Sequence, residues 1–258
     1  PETSQAAEAE VQVTPAPSPK PEPVLPADEK LIADAIVEKA VREDLEKPEG
    51  ELTEADLEKV TSLFLYRTQI TDAGLKEVAK LQNLEELHLG DTQITDKGLK
   101  DVAKLKKLEM LNLINAEITD AGLNEVAKLQ NLANLELYGT KITDVGLIEL
   151  VKLQELVGLG LGDTQITDEG LKEVAKLKKL KELLLRLTEI TDSGLKEVAN
   201  LKKLETLLLT NTKITDAGLK DVAKLQKLKT LSLIRTKVTR TGVAELQKAL
   251  PKCNIDSN

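Results

Sequence analysis

Residues 84–107 read LEELHLGDTQITDKGLKDVAKLKK, and this stretch decides the architecture. Leu84, Leu87 and Leu89 follow the spacing LxxLxL, and Thr92 and Ile94 extend it to LxxLxLxxTxI. The alternation over 86–90 predicts a short strand with Leu87 and Leu89 facing inward and Glu86, His88 and Gly90 facing out. Leu99, Val102 and Leu105, with Ala103 alongside, then mark one apolar face of a helix. Asp96 stands just before that helix, where a carboxylate caps free N–H groups and complements the dipole. Gly98, in the first turn, permits a tight bend and close packing on the next layer.

The same unit recurs every 24 residues. ITDAGL at 70–75 and ITDKGL at 94–99 are followed by variants starting at Ile118, Ile142, Ile166, Ile190, Ile214 and Val238. A fixed short period means stacked copies of one strand–turn–helix unit, stable only through its neighbours. Parallel strands stack about 4.8 Å apart and helices about 8–10 Å apart. The array must therefore curve, strands inside and helices outside. Eight strands are expected, centred on Leu63, Leu87, Leu111, Leu135, Leu159, Leu183, Leu207 and Leu231. Threonine fills the Thr92 position in seven copies (68, 92, 140, 164, 188, 212, 236), where its hydroxyl is suited to bond turn backbone. Ala116 cannot do so.

This wording resembles the leucine-rich repeat family, in its short-repeat subclass with convex helices, over roughly residues 52–255. It looks most like bacterial repeat proteins and is similar to the repeat regions of F-box proteins. F-box relatives usually carry Cys where this chain has Thr, and no F-box-like segment is present, so a ubiquitin-ligase role is not implied. The expected fold class is an α/β leucine-rich repeat solenoid with an N-terminal helical cap.

Residues 1–27, rich in Pro, Glu, Ala and Ser, are expected to form a disordered tether. Such a leash ahead of a folded module favours export or a cell-envelope location over the cytoplasm, and the first residue, Pro1, points to removal of an earlier segment. Residues 28–60 are expected to form the N-terminal cap. Its first helix is predicted over Asp28–Leu45, and its second begins at Thr53, with Asp56 completing a capping box. Residues 61–255 form the eight repeats and C-terminal cap, and 256–258 a tail. In that cap Arg240 replaces the usual Asp, Pro251 stops the helix and Ile255 offers a last apolar contact.

Composition removes several functions. The net charge is −8 with acids interspersed, which disfavours a nucleic-acid partner. Cys253 is the single cysteine, so it forms no internal disulfide or Cys-based zinc site and reads as structural. No apolar run is long enough for a membrane helix. VGLGLG at 157–162 imitates a dinucleotide loop, but its glycines fall on outward strand positions. The Asp72, Asp96 and Asp120 column offers one carboxylate per layer, too few for calcium. His88, the only histidine, has no nucleophile placed beside it. The expected protein is a non-enzyme without cofactor or metal.

The varying residues concentrate on the outward strand positions. One row runs Phe64, His88, Asn112, Glu136, Gly160, Leu184, Leu208, Ser232, and the next Tyr66, Gly90, Ile114, Tyr138, Gly162, Arg186, Thr210, Ile234. The three aromatics, the histidine and Met110 all fall on this face, while the convex positions repeat Lys and Glu, with Ile148 the main exception. Exposed Phe64, Ile114, Leu184, Leu187 and Leu208 are costly for solubility unless they meet a partner. Gly158, Gly160 and Gly162 are expected to leave a trough between Tyr138 and Leu184, Arg186 and Leu187. Basic Lys213, Arg235 and Lys237 gather toward one end, with Glu86, Asp91, Glu117 and Glu136 toward the other. The expected function is a monomeric scaffold binding a protein partner through Phe64, Tyr66, His88, Met110, Asn112, Ile114, Glu136, Tyr138, Leu184, Arg186, Leu187 and Leu208. The alternative is an extracellular carbohydrate or small-ligand module using Tyr66, His88, Asn112 and Tyr138.

Overall fold

A computed structural model describes residues 30–257, so the tether expected over 1–27 lies outside the described residues. The repeat unit forms as its apolar spacing dictates. Strands β1 to β9 are Ser62–Phe64, Glu86–His88, Met110–Asn112, Asn134–Glu136, Gly158–Gly160, Glu182–Leu184, Thr206–Leu208, Thr230–Ser232 and Asn254–Asp256. They pair in parallel, in sequence order, in one unclosed curved sheet. The register is constant: Leu63, Leu87, Leu111, Leu135, Leu159, Leu183, Leu207 and Leu231 stand side by side and buried. A one-residue slip would turn this row out to solvent.

The helices are α1 Ala35–Asp44, α2 Glu54–Leu57, α3 Leu75–Val78, α4 Leu99–Val102, α5 Asp120–Val126, α6 Asp144–Leu150, α7 Asp168–Val174, α8 Asp192–Val198, α9 Asp216–Val222 and α10 Arg240–Ala249. The repeat helices α3 to α10 each press a Leu and a Val or Leu into the core, as with Leu123 and Val126 of α5. Their outer faces carry spaced pairs such as Lys128–Glu125 and Lys176–Glu173, exposed contacts that contribute little to stability.

The aspartates do something other than the expected capping. From α5 onward the N-cap is the preceding threonine: Thr119 Oγ1 accepts from Ala121 N, and Thr143 Oγ1 from Val145 N. Asp96 instead reaches across to the next repeat, where Oδ1 accepts from Thr119 N at 2.9 Å and Oδ2 from Thr119 Oγ1 at 2.6 Å. Identical clamps join Asp72 to Thr95, Asp120 to Thr143, Asp144 to Thr167, Asp168 to Thr191, Asp192 to Thr215 and Asp216 to Thr239. From Thr119 onward each hydroxyl thus donates to the previous repeat while accepting from its own helix. The glycine follows from the same geometry: a Cβ on Gly122 would lie 2.5 Å from Asp96 Oδ1. TDxG is an inter-repeat joint.

The threonine column behaves as the sequence predicts. Thr68, Thr92, Thr140, Thr164, Thr188, Thr212 and Thr236 each donate a hydroxyl to the carbonyl of the leucine three residues back, at 2.6–2.7 Å. At the buried Ala116 only the backbone N–H reaches Leu113 O.

Both ends differ from expectation. Helix α1 starts at Ala35 rather than 28, because Asp34 Oδ1 accepts from Ile36 N and Val37 N and terminates it there. Ile32 is nevertheless buried, held as Ala33 N donates to Glu77 Oε2 and Lys80 Nζ to Leu31 O. The Thr53–Asp56 capping box is present. At the far end β9 is an additional ninth strand that includes Asp256 of the expected tail, with Ile255 opposite Leu231 in the core register. Thr239 caps α10 through Gly242 N, so Arg240 is no loss there. Cys253 is buried, and burial pushes its thiol pKa up, as suits a structural residue.

Replacing Ala116 by Thr supplies the missing hydroxyl bond to Leu113 O. It should raise unfolding free energy by about 1 kcal/mol, read as a higher urea midpoint at unchanged slope, whereas Thr140→Ala should lower it comparably.

Candidate functional site: the concave face

The outward strand positions line the inner curve. Eleven of the twelve residues singled out lie at those positions or two residues past a strand end, and Leu187 occupies the corner beyond β6. None is buried. Phe64, Tyr66, Arg186 and Leu187 are exposed, and His88, Met110, Asn112, Ile114, Glu136, Tyr138, Leu184 and Leu208 are half-buried.

At the N-terminal end Phe64 and His88 stack with ring centroids 4.5 Å apart and planes within 15°. Burial lowers the His88 pKa, outweighing the opposite pull of Glu86, so the ring is neutral at pH 7. Phe64 is 61% exposed and Tyr66 45%. The Tyr66 ring lies across Gly90, where a Cβ would meet its Cδ2 at 2.9 Å, and Arg67 sits 4.9 Å from the ring centre. Asp91 accepts from Asn115 Nδ2 at 2.7 Å and pairs with Arg67 at 3.3 Å. Its carboxyl is held below the usual range, chiefly by the Asn115 bond and then by Tyr66.

The middle repeats the device three rungs later. Tyr138 lies across Gly162, and Arg186 sits 5.1 Å from its ring centre. The open trough expected at Gly158, Gly160 and Gly162 is therefore absent, and all three glycines are buried. Asn134, Glu136 and Tyr138 lean over them from β4: a Cβ on Gly160 would fall 1.9 Å from Glu136 Oε2, and one on Gly158 2.5 Å from Asn134 Oδ1. Adjacent strands are too close for long side chains to leave a bare neighbour uncovered. Glu136 pays for that position, since burial raises its pKa, with Arg186 opposing and Glu182 reinforcing the shift.

Leu187 marks the other end of this patch. It falls in the corner column of left-handed backbone, with φ 59°, where other repeats place Asp91, Asn115, Asp163 and Asn211, at φ 70° Gly139, and in the first and last repeats Arg67 and Arg235. An aliphatic residue there costs about 1–2 kcal/mol, yet it is 43% exposed and repays none of that cost by core burial.

Lateral pairing neutralises part of the expected end-to-end charge gradient. Glu117 bonds Lys141, Glu189 bonds Lys213 and Asp91 bonds Arg67. Residues not anticipated from sequence include the Arg67–Asp91–Asn115 network, whose 24-residue spacing was the available signal. Val145 and Ile148 of α6 are exposed apolar residues on the convex side, at 67% and 56%. Among the described residues no group of three or more His, Cys, Asp or Glu could hold a metal ion. No helix among them is long and apolar enough to cross a membrane.

Segments 80–103, 176–199 and 200–223 match the family model described as Leucine Rich repeat. Internalin C2 of Listeria monocytogenes superposes with a TM-score of 0.67 and 28% identity, over 88% of this chain and 95% of that one. A leucine-rich repeat protein of Leptospira interrogans gives a TM-score of 0.60 and 29% identity over 78% of this chain; the match spans only 50% of that protein. No curated protein matches the chain. With its register, helices and curvature, the protein has the fold of a leucine-rich repeat solenoid, similar to those bacterial structures.

The Glu136 carboxyl gives a signed test. A carboxyl whose folded pKa is raised contributes stability that is present below the unfolded value of about 4.3 and lost as pH rises through the folded value. Wild-type stability should therefore decline across that window relative to Glu136→Gln. The variant should be the more stable at pH 7 and lose its advantage in acid, as read by urea melts against pH.

Proposed function

We propose that this protein is a non-enzymatic, monomeric scaffold that binds a protein partner through its concave face. The observation carrying this reading is that the concave residues are kept against their own stability. Leu187 is an aliphatic residue in left-handed backbone, Glu136 is a carboxylate in a desolvated position, and Phe64 is a large apolar residue left exposed. Such features cluster where a partner supplies the compensation. The left-handed corner itself recurs in every repeat, and among the described residues Leu187 is the only aliphatic side chain placed in it.

Protein recognition fits better than carbohydrate stacking. Tyr66 and Tyr138 each carry a guanidinium near the ring and lie against glycine backbone, and Phe64 is stacked on His88. What remains open is a mosaic of aliphatic, aromatic and Arg contacts, the composition of binding hot spots. The solenoid architecture it shares with internalin C2 supports the same reading.

Affinity capture with wild type, with Tyr138→Ala/Leu184→Glu and with the convex control Ile148→Glu tests it. The expected outcome is a protein partner retained by wild type and control and bound at least about tenfold more weakly by the double variant. Glycan-array binding with no protein capture would contradict it.

A further inference from the structure

We propose that the N-terminal end of the concave face docks a basic segment of the partner, an apolar anchor flanked by Lys or Arg; this rests on the concave-face reading above. The surface has two parts. The first is the most exposed aromatic cluster of the face, Phe64 stacked on His88 with Tyr66 beside it. The second is its rim. Glu85 and Glu109 are exposed at the residue leading into β2 and β3, stacked in register as Glu109 N donates to Glu85 O, and Glu86 is the first outward residue of β2.

These three carboxylates are in no ion pair among the described residues, and they stand together at one end of the sheet, whereas Glu182, the equivalent of Glu86 in β6, stands apart from them. Glu205, the equivalent of Glu85 and Glu109 ahead of β7, is bonded to Lys229, and acids at two other lateral positions, Glu155 and Glu189, pair with Lys179 and Lys213. The single polar contact is from Ser62 Oγ to Glu86 Oε2 at 3.4 Å. The opposite rim is self-satisfied, with Arg67 and Asn115 both bonded to Asp91. His88, neutral at pH 7, offsets none of the acidic charge. An aromatic platform with one uncompensated acidic edge selects an apolar anchor with adjacent positive charge, which steers approach and fixes orientation.

Random peptides displayed on phage, selected on the full chain, test this. Enriched peptides should join an aromatic or aliphatic anchor to net positive charge and weaken as salt rises. Their affinity should fall about tenfold in Phe64→Ala and in Glu85→Lys/Glu86→Lys/Glu109→Lys, and severalfold in the milder triple Gln variant. The convex variant Glu169→Lys/Glu173→Lys/Glu197→Lys, with the same change in net charge, should leave it unchanged. The proposal is overturned by neutral or acidic selected peptides, by equal weakening in the convex variant, or by failure to enrich any peptide. Peptides dependent on Tyr138 and Leu184 but not on Phe64 would overturn it and leave the concave-face reading standing. Peptides indifferent to every concave substitution would count against both.

Discussion

The joint between consecutive repeats is the constraint on which the molecule depends. One aspartate carboxylate accepts two hydrogen bonds from a threonine 23 residues later, and a glycine makes room for it. The same threonine hydroxyl then caps its own helix. Charge-assisted bonds of this kind are short and directional, so the joint sets a fixed translation from one repeat to the next. The leucine row supplies most of the burial, and the clamp gives that burial its register. Because strands stack more tightly than helices, repeating the joint produces curvature without any residue specifying it.

A framework that repeats so closely leaves the outward positions unconstrained by folding, and there the chain departs from local optimum. Leu187, Glu136 and Phe64 each cost stability or solubility where neighbouring repeats offer cheaper residues. The lateral ladders show the contrast. Glu117–Lys141 and Glu189–Lys213 neutralise charge between layers, whereas Glu85, Glu86 and Glu109 have no such partner among the described residues. Function is inferred from that contrast, together with an architecture shared with bacterial leucine-rich repeat proteins.

Much of this was legible in the residues. The 24-residue period placed the inward leucines, the threonine hydroxyl bonds and the Thr53–Asp56 capping box, because each depends on local spacing. What escaped depends on neighbours in the stack. Asp96 looked like a cap for the helix it begins, and its partner Thr119 is evident only once two repeats are superimposed. The glycine trough looked open because side chains of β4 had to be seen leaning over β5. Strand β9 carries Ile255 alone in place of the leucine pattern, so its pairing was hidden. The start of α1 turned on Asp34, whose capping role competes with the apolar periodicity before it.

Substituting Asp120 by Ala is the most direct test of the central claim, because it removes both acceptors from Thr143 while leaving the core leucines in place. Native-state hydrogen exchange, resolved along the chain, should show a loss of about 2–4 kcal/mol, with protection in repeats on either side of the break no longer equal. Protection unchanged throughout would contradict the account and leave leucine burial alone as what holds consecutive repeats in register.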